Sequence, residues 1–551
     1  MIKNVLNAIR ARAITIIVWA VIIAAIIAFN SYNQSQRAAA TSALGSSSQA
    51  VRDAEVLKLA HAGGLVDALG NTQNLNEDAN SPTNQESVLI RQEAVDSMNR
   101  LVASNQLSAD QALPIYFSFY KDSDSKVKSS STDAISALGK QNSANLTAIV
   151  QRLKDDDPDL RAASVEALGK VGSDDAAKQV ADLLSDKTSR DAAELGLASI
   201  GKASVPYLTV HINDPDSDYS QKMISILGGI GDSGAVPALI ATVNTASAAT
   251  RRVGVVAIAN IVLATYNARD KAVLAAKTAP ASTPPSGPTP QAIATVNTSE
   301  PLLIALATSS GDDPDARALA TLSLGRIGGN DAISALVKSL QDFDPKISNA
   351  AVAALQAVGS PAVSPLIALL NDSKVRVDTR ASAAEALGGI GSPEAIASLN
   401  GAFASPQTPS AIRRSAALGL GNSGAVAVIP TLVKALGDKD GVVASIASAA
   451  LLNPDLQDGA IPQLISAFQE KTPVPFEASQ TLARMGNVPV PALKTALQGS
   501  NTVAQTWSAV TLGQIGTKDP TVVAELTPLA DSTTPSVKWA ASQAIDQLTG
   551  S

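Results

Sequence analysis

The segment DDDPDLRAASVEALGKVGSDDAAKQVADLLSD, from Asp155 to Asp186, decides the fold. It opens with Asp157-Pro158, where the aspartate can accept hydrogen bonds from free helix N–H groups and the proline needs no donor in the first turn. Alanine and leucine then recur at the spacing of one helix face, and Gly172 is expected to end the helix in a left-handed conformation. A second helix follows after a short turn. The segment therefore predicts two antiparallel helices, each with one apolar face.

The same pattern recurs through most of the chain at intervals of about 30 residues or a multiple of that length. Second helices commonly carry a proline in their first turn, as in VPALIATV from Val236 and IPTLVKAL from Ile429. Because one helix pair cannot bury its apolar faces alone, neighbouring pairs must stack on each other. The Asp-Pro openings are Asp157-Pro158, Asp214-Pro215, Asp313-Pro314 and Asp344-Pro345. The glycines expected to end first helices are Gly172, Gly201, Gly231, Gly328, Gly359, Gly391, Gly421, Gly486 and Gly516.

These residues resemble the short bacterial, phycobilisome-lyase-like HEAT repeat in the Asp-Pro opening, the arginine that follows it, and the ALGKVG helix ending. The resemblance covers residues 87–550 in about 14 units. It implies an all-α fold, an α-solenoid of antiparallel two-helix repeats whose second helices line a concave face. It also implies a ladder that ties a basic side chain of each repeat to the aspartate of its neighbour. The ladder residues would be Arg161, Arg190, Arg317, Arg376, Arg414 and Lys538, with Ser348, Ser445 and Glu477 as interruptions.

The N-terminus carries a candidate membrane segment. Residues 13–29 read AITIIVWAVIIAAIIAF, and no charge occurs between Arg12 and Arg37. We expect a transmembrane signal-anchor helix over residues 13–32, because this length can cross a bilayer core. The basic residues before the segment place the stub of residues 1–12 in the cytoplasm and the solenoid outside the cytoplasmic membrane. A cleavable signal peptide and a buried helix are the alternatives. Residues 33–86 predict a stalk with one helix, within residues 51–69.

Between the repeat endings at Gly231 and Gly328, the chain has more residues than whole repeats require. Residues 251–279 predict an over-long helix. Five prolines then fall within residues 280–290, which predicts an extended, Pro-rich loop insertion at about residues 279–298. The insertion is either a docking strand for a partner or a tolerated change in a loop.

Composition excludes several function classes. The chain has no cysteine, two histidines and a net charge of −7, so thiol chemistry, Cys-ligated metals and phosphate-neutralising contacts to nucleic acid are not expected. The segment from Asp214 to Ser220 has the spacing that opens a calcium loop, but it lacks the required glycine and the final acid. We expect no catalytic residue, no cofactor and no metal site.

Aromatic residues are the remaining candidates for a site, since only 3% of the chain is aromatic. Tyr116, Phe117, Phe119 and Tyr120 form one cluster, which predicts either a partner contact or a plug at the N-terminal end of the solenoid. Trp507 and Trp539 stand in register on successive repeats, in the core or in an exposed stripe.

Together these features predict a membrane-anchored, extracytoplasmic scaffold or adaptor that binds protein partners through the curved surface of a HEAT-repeat solenoid, and that binds no nucleic acid. A bilin-lyase-like or other HEAT-repeat enzyme is one alternative. A self-assembling structural protein of the bacterial envelope is the other.

Overall fold

The computed structural model describes residues 42–43, 45–62, 65, 82–278, 287–405 and 407–550. Regular secondary structure within these ranges is helical throughout, as the sequence predicts. The predicted cytoplasmic stub, the signal-anchor helix, much of the stalk and residues 279–286 of the Pro-rich insertion lie outside the described residues. The chain divides into two compact units, Met1–Ala235 and Val236–Ser551.

The first unit stacks its helix pairs in two layers. First helices α4, α6, α8 and α10 lie side by side, and second helices α5, α7 and α9 form the other layer. Leu168, Leu197 and Leu227, which precede the repeated glycines, are fully buried where the layers meet. The helices are α1 (Gln49–His61), α2 (Pro82–Ala103), α3 (Ala109–Phe119), α4 (Ser125–Gln141), α5 (Ser143–Gln151), α6 (Pro158–Val171), α7 (Asp174–Ala181), α8 (Arg190–Ile200), α9 (Val205–Thr209) and α10 (Ser217–Ile230).

Helix α1 is the helix expected in the stalk, although it runs from Gln49 to His61 and not over residues 51–69. It packs against α2 through an ion-pair network. The Arg100 guanidinium lies 2.7 Å from carboxylate oxygens of both Asp53 and Glu93, and Arg52 lies 2.8 Å from Glu93. This part of the stalk is therefore attached to the first unit.

The second unit repeats the two-layer arrangement. First helices α12, α15, α17, α19, α21, α23, α25, α27 and α29 each pack against the next in one layer. The helices are α11 (Val236–Thr245), α12 (Ala248–Thr278), α13 (Pro290–Asn297), α14 (Glu300–Ala307), α15 (Pro314–Ile327), α16 (Asn330–Ser339), α17 (Pro345–Val358), α18 (Val363–Asn371), α19 (Val377–Ile390), α20 (Pro393–Ala404), α21 (Ser410–Ser423), α22 (Ile429–Ala435), α23 (Gly441–Leu451), α24 (Pro454–Ser466), α25 (Val474–Arg484), α26 (Val490–Gln498), α27 (Thr502–Ile515), α28 (Pro520–Leu526) and α29 (Pro535–Thr549).

The over-long helix before the Pro-rich insertion is confirmed as α12. Among the described residues it is the one helix that is long and apolar enough to cross a membrane, by length and composition alone. Its apolar residues Ile258, Ile261 and Val262 are fully buried. The prediction of an extended loop to residue 298 is wrong at its end, because α13 begins at Pro290. The Thr289 hydroxyl accepts a hydrogen bond from the Ala292 N–H and caps this helix.

The predicted helix boundaries hold at most repeats and fail at two. Asp157, Asp313 and Asp344 are N-caps followed by proline, as expected. Asp214 is not a cap, because α10 begins later and Asp216 accepts its first amides. Gly421 does not end α21. That helix continues to Ser423, and Gly424 ends it with φ 63°.

Candidate partner-binding surface

Five of the loops that join one repeat to the next in the described part of the chain contain two aspartates separated by one residue, and we call them the Asp-x-Asp loops. The first carboxylate accepts the N–H of the second aspartate, and in most of these loops the second carboxylate caps the next first helix. The residue between them is exposed in every case, and its side chain takes no part in these bonds. The loops are Asp122/Asp124, Asp155/Asp157, Asp214/Asp216, Asp342/Asp344 and Asp438/Asp440.

The first aspartate of a loop can also pair with a buried arginine of the preceding first helix. Arg91 lies 2.7 Å from Asp122, and Arg413 lies 2.7 Å from Asp438. Burial opposes ionisation of Asp438, but hydrogen bonds from the Arg413 guanidinium and the Asp440 N–H hold its pKa below the ordinary value. These pairs therefore link adjacent repeats in the core.

The predicted basic ladder is confirmed at two positions: Arg317 pairs with Asp342, and Arg414 lies 2.7 Å from Asp440. The prediction is wrong for three other arginines. Arg161, Arg190 and Arg376 donate instead to backbone carbonyls of inter-repeat loops and second-helix ends, at 2.6–2.9 Å. Carbonyls at the end of a helix have no helical partner and are ready acceptors. Lys538 is exposed and makes no ion pair within the described residues.

The aromatic cluster of the first unit lies mostly in the core. Tyr116, Phe117 and Phe119 are buried, and the Tyr116 hydroxyl donates to the Asn99 side-chain oxygen at 2.7 Å. Tyr120 is half-buried. Because a buried ring cannot meet a partner without leaving the core, the position of the first three rings favours the plug interpretation over the partner contact.

The two tryptophans in register have different surroundings. Trp507 is half-buried and stacks on Phe468, with ring centroids 6.2 Å apart. Trp539 is 61% exposed on α29. The core interpretation therefore fits Trp507, and the surface interpretation fits Trp539.

Two exposed aromatic residues do not stand out in the sequence. Phe343 is 83% exposed, and Phe476 is 48% exposed on the first turn of α25. A single aromatic residue has no periodicity to reveal it. The signal for Phe343 is its place in an Asp-x-Asp loop, where the other middle residues are Ser123, Asp156, Pro215 and Lys439. We call Phe343, Phe476 and Trp539 the exposed aromatic set.

Each unit also has an open groove between two neighbouring helices of the same layer. In the first unit, α6 and α8 enclose about 610 Å³ over Val165 and Leu195. In the second unit, α22 and α24 enclose about 350 Å³ over an apolar floor that includes Val433, with Lys434 and Glu470 also lining it. Grooves of this kind can accept side chains of another protein.

The calcium-like segment at Asp214 supplies hydrogen-bond acceptors at the start of α10. Asp214 accepts the Asp216 N–H at 2.9 Å, and Asp216 accepts two amides of α10. His211 packs edge-on against Tyr219, with ring centroids 5.6 Å apart. Within the described part of the chain, no group of three or more potential ligand side chains could hold a metal ion.

Comparison with known proteins agrees with the repeat pattern. The family model for HEAT repeats matches residues 120–201, 299–378 and 363–453. Similar solved structures include human deoxyhypusine hydroxylase in complex with glycerol, at 20% identity and TM-score 0.24 over 48% of this chain and all of that one. They also include the Kap95:Nup1 complex, at 14% identity and TM-score 0.42 over 93% of this chain and 72% of that one. Yeast importin-beta (Kap95p) matches at 14% identity and TM-score 0.35 over 93% of this chain and 76% of that one. No curated protein matches by sequence. The chain thus carries HEAT repeats in both of its units.

Proposed function

We propose that the protein is a scaffold that binds other proteins through its HEAT repeats. The observation that carries this proposal is the exposed aromatic set. The whole chain has seven phenylalanines, six tyrosines and three tryptophans, and its core consists mostly of alanine, leucine, valine and isoleucine. An aromatic ring left in water adds nothing to folding, whereas the same ring is an effective anchor at a protein interface.

The repeat architecture supports the same function. Each of the five Asp-x-Asp loops presents one exposed middle residue, so the repeats that have such a loop can vary their contact surface at this position. Many weak contacts along one chain add to a high avidity if a single partner spans several repeats. The net charge of −7 also favours protein partners over nucleic acid.

The proposal includes a membrane anchor at residues 13–32, with the repeats on the outer side of the cytoplasmic membrane. Its support is the long uncharged sequence and the basic residues that precede it. Two measurements test it. We expect the protein to stay with membranes after alkaline carbonate extraction, and we expect added protease to digest the repeats from the outer side. Release by carbonate, or repeats protected from protease until the membrane is broken, would refute the anchored, exported arrangement.

The scaffold proposal is tested by cross-linking in cells and purification of the tagged full-length chain. The test variant combines Phe343→Ser, Phe476→Ser and Trp539→Ser. The matched control combines Lys439→Ser and Lys518→Ser, two exposed loop residues of the second unit. We expect stoichiometric partners with wild type and control, and their loss with the test variant. Thermal unfolding should be the same for all three proteins, because none of these side chains is in the core.

Two results would count against the scaffold. Recovery of the same partners with the test variant would show that the exposed aromatic set does not bind them. Recovery of nothing except further copies of the chain would favour self-assembly instead.

A further inference from the structure

Phe343 and Arg376 form an exposed pair on the second unit. The Arg376 guanidinium carbon lies 4.0 Å from the centroid of the Phe343 ring, well within the range of a cation–π contact. One guanidinium nitrogen, Nη2, donates to the Gln341 carbonyl at 2.9 Å. Both residues are exposed. The pair therefore presents an aromatic ring and a guanidinium to solvent in a fixed relative position.

Phe343 is unusual for its position, and Arg376 stands at one of the first-helix starts that have no side-chain cap, as do Ser189, Pro409, Pro473 and Thr534. Phe343 occupies the middle of an Asp-x-Asp loop, where the other loops carry serine, aspartate, proline or lysine. Arg376 is the N-cap of α19, a position where most first helices have aspartate or another side chain that accepts amide hydrogen bonds. The two residues belong to successive repeats and contact each other.

The fold gains little from the aromatic side chain of Phe343. Helix α19 begins without a side-chain cap and lacks the stabilisation that an aspartate there would provide. Phe343 buries almost none of its ring. The link between the repeats is made by the Arg376 bond to the Gln341 carbonyl, and this bond does not require an aromatic residue at position 343. A residue that departs from its local pattern without a structural gain, as Phe343 does, is typical of a functional site.

The charges around the pair indicate what it would bind. Asp342 pairs with Arg317, and Asp344 accepts the Lys346 N–H, so both loop carboxylates are already engaged. The Nε and Nη1 groups of Arg376 donate to no acceptor in the described part of the chain, and Lys374 nearby is exposed. The surface therefore offers cationic donors beside one free aromatic face.

We propose that Phe343 and Arg376 recognise a protein segment in which an acidic side chain stands next to an apolar one. The carboxylate would accept a charge-assisted hydrogen bond from the free Nε or Nη1 group of Arg376, and the apolar side chain would cover the Phe343 ring. This inference rests on the proposed scaffold function and names the chemistry of one partner contact.

The test uses a phage-displayed library of random dodecapeptides selected on the purified protein. Peptides that also bind the Phe343→Ser, Arg376→Gln double variant are removed before sequencing. We expect the remaining peptides to carry aspartate or glutamate beside a large apolar residue. A synthetic peptide of the enriched sequence should lose affinity by about tenfold or more with either single variant, as for truncation of an interface anchor. The Lys439→Ser control should bind it as wild type does.

The other outcomes overturn the inference. Enriched peptides without acidic residues would refute the role of Arg376, and an affinity unchanged by the single variants would refute the site. If no peptide distinguishes wild type from the double variant, the pair is not a recognition point. If the cellular partners still bind both single variants, this inference fails while the scaffold function stands.

Discussion

Replacement of Gly388 by alanine should weaken the contact between two specific repeats. Gly388 lies in α19, where a Cβ atom would come within 2.4–2.6 Å of backbone atoms of Gly419 and Leu420 in α21. Backbone atoms cannot rotate away as a side chain can, so the two helices would have to separate. Forcing extra volume into a packed interior costs about 1–3 kcal/mol, and a clash with backbone belongs at the upper end.

The net effect also includes helix propensity. Alanine favours a helix interior over glycine by about 1 kcal/mol, so Gly388→Ala should lower the local free energy of unfolding by about 2 kcal/mol. Gly401→Ala is the matched control, because Gly401 lies in α20 and a Cβ there meets no atom within 4 Å. The control should raise the free energy of unfolding by about 0.5–1 kcal/mol. The two glycine-to-alanine changes should thus have opposite signs.

Native-state hydrogen exchange on the full chain measures both effects at the level of single helices. We expect the amides of α19 and α21 to exchange about 30-fold faster in Gly388→Ala, which is what 2 kcal/mol implies. Distant helices such as α27 and α29 should be unchanged, since stability in a repeat array passes mainly between nearest neighbours. Unchanged protection of α21, or equal effects of the two variants, would refute the close approach of these helices.

Two further predictions concern buried charge and helix ends. Asp438→Asn should lower the free energy of unfolding by about 3–5 kcal/mol at neutral pH, because it leaves the Arg413 charge buried without its counterion. The folded-state pKa of Asp438 is lowered, so its contribution to stability is complete above the ordinary carboxyl pKa of about 3.9 and is lost as pH falls below that value through the lowered folded-state pKa. Acid unfolding followed by circular dichroism should therefore be less steep in Asp438→Asn than in wild type, and equal steepness would contradict the pairing. Gly516→Ala should destabilise the end of α27 by about 1–2 kcal/mol, since φ is 64° and no neighbouring atom is within 4 Å. Gly516→Asn should lose less stability than Gly516→Ala. An equal loss of stability in these two variants would show that the left-handed conformation is not the cause.

The arginine positions show where sequence reasoning stops. The arginines of the first helices are visible in the sequence, but their partners are not. Arg413 reaches an aspartate of the following repeat, whereas Arg161 reaches carbonyls of its own loop. Which acceptor is closer depends on how far one repeat is rotated against the next, and that rotation is set by packing of side chains from both repeats.

The glycines of the LG-x-IG endings show the same limit. Their final glycines were predictable as helix stops, since a left-handed residue after a helix favours glycine. The first glycine has another role. In α19 it is Gly388, which allows the close approach to Gly419 of the neighbouring helix. No local pattern distinguishes the two roles, because the second one depends on an atom more than thirty residues away in the chain.

The sequence by itself determined the all-helical class, the repeat length, most helix starts and most helix ends. These are local properties, set by helical periodicity, by capping aspartates and by glycines with positive φ. Only the tertiary structure decided that Tyr116 and Phe117 are core while Phe343 and Trp539 face solvent. Exposure depends on what the neighbouring repeat covers, and an aromatic residue has the same local sequence signal in the core as on the surface.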